Sequence, residues 1–95
     1  MSTLAWYRYG PEVDDGVPPL VLLHAFPLDA RMWALTISAM PGVPVLTIDA
    51  PGFGASPPLE GGLEEYADAV AGTLAAAGVT RAVVAGLSMG GYTLL

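Results

Sequence analysis

Ser88 sits where a serine can be turned into a nucleophile. It lies in Gly86-Leu87-Ser88-Met89-Gly90-Gly91, a Gly-x-Ser-x-Gly pattern, directly behind the apolar run Ala82-Val83-Val84-Ala85. A strand that breaks sharply into a helix pushes the hydroxyl at the turn clear of the backbone. Gly86 and Gly90 lack a Cβ, so strand and helix backbones can crowd that turn. The helix start behind Ser88 leaves amide N–H groups unpaired, aimed at any oxygen that gains negative charge. The chemistry this suits is acyl transfer through a covalent intermediate, once a base takes the serine proton. The pattern alone is common in a chain with 12 glycines; the strand in front of it carries the argument.

Three buried strands must position such a turn. Leu20-Val21-Leu22-Leu23 and Val45-Leu46-Thr47-Ile48 are continuous apolar runs, of the kind found in strands covered on both faces. Ala82 onward makes the third. Leu4 to Tyr9 predicts a further, aromatic-rich strand. Asp29 is an N-cap for a helix running to about Met40, with Trp33, Ile37 and Met40 on one face. Leu63 to Ala77 predicts a second helix with a Leu63, Tyr66, Val70, Leu74, Ala77 stripe, Glu64 and Glu65 at its positive end, and Gly78 as its stop. Glu64, Glu65 and Asp68 fit a solvated helix face. Strands alternating with helices give an α/β class: an open, mostly parallel sheet with helices on both faces.

In such a sheet ligands sit outside the carboxyl ends of the strands. Three loops leave those ends: His24 to Leu28, Asp49 to Ser56, and the turn at Ser88. Asp49 opens a glycine and proline loop, where an aspartate stabilises turns locally. Phe26 and Trp33, beside the strands, fit the core better than a pocket wall.

Composition narrows the function. The net charge is −6, and the three basic residues, Arg8, Arg31 and Arg81, form no run. This argues against nucleic acid and against an anionic membrane surface. There is no cysteine, which excludes disulfide and thiolate-metal readings, and the one histidine, His24, cannot build a metal site by itself. No apolar stretch is long enough to span a bilayer, and the first residues lack a signal-peptide pattern. The expectation is a cytoplasmic protein. Hydrophobic residues make up 54% and charged residues 13% of the 95, little polar cover for a small domain. With the chain also stopping inside an apolar helix, residues 1–95 are expected to be the N-terminal part of a longer domain.

The chain resembles the N-terminal part of the α/β-hydrolase fold superfamily. His24-Ala25-Phe26-Pro27 is similar to its His-Gly-x-Pro oxyanion loop. Asp49-Ala50-Pro51-Gly52-Phe53-Gly54-Ala55-Ser56 is similar to its Asp-x-x-Gly-x-Gly-x-Ser loop, and Gly86 to Gly91 to its nucleophile elbow. The closest flavour is the small esterase, lactonase and cofactor-free haloperoxidase-like members. The resemblance implies Ser88 as nucleophile and the backbone N–H groups of Phe26 and Met89 as the oxyanion hole. It makes His24 a loop-organising residue, since this fold supplies nucleophile, acid and histidine in that order, and gives Asp49 a structural role. It places Leu20–His24 between the other two parallel strands. The acid and the histidine are then expected beyond Leu95, the substrate is a small carboxylic ester or lactone, and no cofactor is implied. Perhydrolase or haloperoxidase-like chemistry at the same serine, or a non-catalytic binding module that keeps the fold, are the alternatives. One departure is Ala25, where the family has glycine. If that residue needs a positive φ, alanine costs roughly 1 kcal/mol.

Overall fold

The computed structural model describes residues 4–12 and 18–93. The acidic loop expected around Val13 to Gly16, the first three residues, and Leu94 and Leu95 lie outside the described residues. Among the described residues four short strands form one sheet: β1 (Trp6–Tyr9), β2 (Leu20–Leu23), β3 (Val45–Ile48) and β4 (Val83–Gly86). The spatial order is β1-β3-β2-β4. β2 pairs in parallel with β3 and with β4, while β1 runs antiparallel to β3. The sheet is therefore mixed and mostly parallel, with β2 in the middle as expected. Register sets Leu23 against both Ile48 and Gly86, so the three parallel strands end level with one another.

Alternation along β2 and β3 divides the burial between two faces. Val21, Leu23, Leu46 and Ile48 pack with Tyr66 and Val70 in the core, which places helix α2 (Leu63–Ala76) on that side. Leu22 and Thr47 point the other way and are also buried. The chain after Asp29 approaches β2 and β3, and the Ala30 N–H donates to Asp49 Oδ1 at 2.8 Å. Helical segments thus flank both faces, as the runs of β2 and β3 required.

Helix α2 starts and stops where its residues dictate. Gly62 N–H donates to Glu65 Oε1 at 2.7 Å, and Glu64 and Glu65 occupy the first turn. At its end Gly78 adopts φ +81°. Its N–H donates to Ala75 O, and that of Val79 to Leu74 O, the paired bonds of a glycine-terminated helix. The expected stripe holds at Tyr66 and Val70, but Leu63 is exposed: it sits in the first turn, beyond the sheet's cover.

The segment after Asp29 corrects the expectation of one amphipathic helix to Met40. It is a 3-10 turn, Ala30–Trp33, followed by the short helix α1, Ala34–Ser38, none of whose residues is buried. Asp29 is the cap, accepting from Arg31 N–H at 2.9 Å. That local bond tightens the first turn, and Ala30 is tied to Asp49. The Ser38 hydroxyl bonds back to Ala34 O, and Pro41-Gly42 follow at once. Helix α3 (Met89–Thr93) follows β4 and contacts β2, β4 and α2.

Candidate active site

Ser88 occupies the turn between β4 and α3 with φ of 55°, and it is exposed. No other non-glycine residue among those described has a positive φ. Such a conformation is uncommon for a residue with a side chain and persists only where its surroundings impose it. Here they do. Leu87 N–H donates to Leu23 O at 3.2 Å, Gly90 N–H to Leu87 O at 3.1 Å, and Tyr92 N–H to Ser88 O at 3.0 Å. A Cβ on Gly90 would run into the carbonyl of Leu23, and one on Gly86 into the backbone of Gly90 and Gly91. The two glycines let α3 sit backbone to backbone on β2 and β4, with Ser88 at the bend.

His24 and Asp49 leave the level ends of β2 and β3, and both are buried. The Ala50 N–H donates to His24 Nε2 at 2.8 Å. Nε2 is therefore the unprotonated nitrogen, and Nδ1–H donates to Ala25 O at 3.0 Å. The ring stitches one loop to the next, and neither nitrogen is left to take a proton from Ser88. Asp49 gathers its own loop. Its carboxylate accepts from Tyr7 Oη at 2.9 Å, Ala30 N–H at 2.8 Å and Ala55 N–H at 3.0 Å. Its carbonyl accepts from the Ser56 hydroxyl at 2.6 Å. Gly54, at φ +51°, has no room for a Cβ because the Asp49 carboxylate fills that space. The bond to Asp49 raises the pKa of Tyr7 above the ordinary tyrosine value, with burial and the carboxylate charge adding to the shift.

Phe26 is 65% exposed, which corrects the expectation that it belongs to the core. Its ring stands edge-on to Phe53, 5.5 Å between centroids, and Phe53 also meets the His24 ring. Pairing the aromatics over the loop leaves one face of Phe26 to solvent. Ala25 does not take a positive φ, so alanine carries no such strain there. Among the described residues neither the Phe26 nor the Met89 amide N–H has a hydrogen-bond acceptor.

Beside the turn lies a cavity of about 260 Å³ walled by Ala50, Phe53, Leu59, Leu63, Tyr66 and Met89 among others. On the opposite side of the Asp49 loop, Asp29 and Arg31 form an ion pair at 2.8 Å. The guanidinium bond holds the Asp29 carboxyl below its ordinary pKa and raises that of Arg31. No group of three or more His, Cys, Asp or Glu able to hold a metal ion occurs among the described residues. Among those residues no helix is long and apolar enough to cross a membrane. Sequence reasoning missed Tyr7 as a ligand of the Asp49 loop, and Met32, whose Sδ accepts from Ala25 N–H at 3.2 Å. Neither contact has a local signature.

Known proteins resemble this chain in sequence and in fold. A 2-succinyl-6-hydroxy-2,4-cyclohexadiene-1-carboxylate synthase from Enterobacter sp. (strain 638) is 35% identical over 77 residues, 80% of this chain and 30% of that protein. A thermophilic esterase from Thermogutta terrifontis superposes with a TM-score of 0.83 at 36% identity, over 96% of this chain and 33% of the esterase. The enol-lactonase of Burkholderia xenovorans LB400 gives a TM-score of 0.85 at 31% identity, over 95% and 35%. The chain thus spans about a third of the length of these proteins. The sequence model of the alpha/beta hydrolase family matches residues 20–95, from the first residue of β2 through the turn at Ser88. With the mixed sheet, the glycine-framed serine turn and this match in hand, the chain belongs to the alpha/beta hydrolase family.

Proposed function

We propose that residues 1–95 are the N-terminal part of a serine hydrolase acting on a small carboxylic ester or lactone. The observation that carries this reading is Ser88: exposed, at φ 55°, in a turn that only Gly86 and Gly90 permit. Its Oγ attacks the substrate carbonyl carbon while a base takes the hydroxyl proton. The carbonyl π pair moves onto oxygen, where the N–H groups of Phe26 and Met89 receive it. A donor of this kind is worth about 3 kcal/mol of transition-state stabilisation. Collapse of the adduct expels the alcohol, which takes the proton from the base. Water then cleaves the acyl-serine by the same steps and restores the hydroxyl. The base is not His24, whose two nitrogens are engaged in the loops. An acid and a histidine outside these residues complete the set. Similarity to an esterase and an enol-lactonase supports the substrate class.

The test is hydrolysis of p-nitrophenyl butyrate by a protein of the relatives' length that carries this segment, by its Ser88→Ala variant, and by the 95-residue chain alone. The longer protein should turn over many times, and Ser88→Ala should lower kcat by at least about 10³-fold. The short chain should show no multiple turnover. Turnover by the short chain, abolished by both Ser88→Ala and His24→Ala, would make His24 the base and overturn the proposal.

A further inference from the structure

A thioether closes the loop that carries Phe26. Ala25, the residue before it, is buried, and both of its backbone polar groups are held. Its carbonyl accepts from Leu28 N–H at 2.8 Å and from His24 Nδ1–H at 3.0 Å. Its N–H donates to Met32 Sδ at 3.2 Å, its acceptor among the described residues. In a trans peptide unit the N–H lies opposite the C=O, so the Phe26 N–H points away from the carbonyl that Leu28 and His24 hold. Its direction is set by how Ala25 is fixed on both sides.

The sulfur reaches Ala25 because the chain after Asp29 is tight. The Asp29 carboxylate accepts from Arg31 N–H, and the Asp29 carbonyl accepts from Met32 N–H at 3.1 Å. Ala30 N–H is tied to Asp49. These bonds seat Met32 on the 3-10 turn Ala30–Trp33, and its side chain reaches back to the loop. A thioether on an unbranched stem adapts to such a gap and is a weak acceptor. An aliphatic side chain would fill the space and leave a buried N–H unpaired. A carboxylate would pair it, but would set a negative charge one residue from the N–H that receives the oxyanion. Methionine does neither.

Resting on the serine-hydrolase reading, we infer that Met32 is a positioning residue: its thioether fixes the Ala25 amide and thereby aims the Phe26 N–H at the oxyanion. Met32 itself touches no reacting atom. Without the sulfur, the Ala25 N–H turns toward another acceptor and the Phe26 N–H turns with it. The oxyanion exists only beyond the bound ground state, so a misdirected donor lowers kcat and leaves KM in place.

The experiment uses the longer protein carrying this segment. Met32→Leu keeps nearly the same volume and removes the acceptor. Met32→Gln stays unbranched and restores one, its amide oxygen. The kcat for p-nitrophenyl butyrate should fall about 5- to 20-fold in Met32→Leu, a fraction of what loss of a whole donor costs, with KM within about twofold of the parent. The second readout is inhibition by propyl trifluoromethyl ketone. Ser88 Oγ adds to its carbonyl carbon, the hydroxyl proton passes to the base, and the carbonyl oxygen is left as an anion in the hole. Its Ki should rise in Met32→Leu by the factor that kcat/KM falls, and Met32→Gln should bring both back to within about threefold of the parent. A fall in kcat with Ki unmoved overturns the inference, because Ki does not depend on how much of the protein is folded. An unchanged kcat in Met32→Leu also overturns it, as does a Met32→Gln no better than Met32→Leu. Ser88→Ala separates the two claims. If it loses hydrolysis, any of these three results overturns this inference alone; if it retains hydrolysis, the serine-hydrolase reading falls and this inference with it.

Discussion

Ser88 and Gly90 are two residues apart and have opposite needs. Ser88 holds a conformation that suits glycine, while Gly90 holds a position that excludes any side chain. Exchanging alanine and glycine at the two sites should therefore change stability in opposite directions. Gly90→Ala drives a Cβ into the Leu23 carbonyl, and overpacking against backbone costs about 1–3 kcal/mol or more. Ser88→Gly relieves the positive φ and should exceed Ser88→Ala by about 1 kcal/mol. Both are read as thermal midpoints in the longer protein, where 1 kcal/mol is about 2–4 °C. A Gly90→Ala midpoint equal to that of the parent would refute the close packing of α3 on β2. The glycines at this turn were legible because the demand for them is local: a strand, a bend and a helix start lie within a few residues. The Asp49 loop was legible only in part. Its glycine and proline content marked a turn, but Tyr7 reaches Asp49 across 42 positions, and no spacing rule announces a partner that the antiparallel pairing of β1 brings in.

At the scale of elements, the parallel strands were readable as apolar runs bounded by proline, glycine and histidine, and their order followed. The region after Asp29 was not. Its apolar residues recur at helical spacing, yet Asp29 bonds two residues ahead and Ala30 is tied to Asp49. These tertiary and local bonds override periodicity. Helix α2 carries a testable charge effect through Tyr66. Burial first, then the charge of Asp49, pushes its pKa up to about 12 from an ordinary 10.0. The folded protein thus keeps this proton where the unfolded chain has lost it. The associated stability is complete below pH 10 and falls as pH rises from 10 toward 12, by about 3 kcal/mol at the limit of a two-unit shift. Tyr7, raised by its bond to Asp49, loses its contribution in the same direction. In urea melts, Tyr66→Phe should be at least as stable as the parent at neutral pH, since the hydroxyl lacks a partner among the described residues, and should lose less above pH 10. Parallel pH curves for the two proteins would contradict the assignment.

For the whole molecule, the important fact is what the sheet leaves open. Among the described residues β4 pairs only with β2, and Val83, its first residue, and Leu87, the residue just after it, are 57% and 52% exposed. In this family member the strand leading to the serine turn therefore lies at an edge of the described sheet. An apolar, unprotected edge invites pairing with another chain. The 95 residues alone are expected to associate at micromolar concentration. A monomeric sedimentation profile with a sharp, reversible melt would count against this.

That same edge makes the backbone of β4 its own probe. The amides of Val83 and Leu87 donate to Pro19 and Leu23 of the neighbouring strand, so by alternation those of Val84 and Gly86 point outward. Deuterium uptake along β4 should follow a period of two, slow at Val83 and Leu87 and fast at Val84 and Gly86. A strand from a longer chain, or from a second copy, that completes the sheet would have to protect the two fast amides. Val84 and Gly86 would then report, residue by residue, the moment at which the strand beneath the serine stops being a border and becomes an interior.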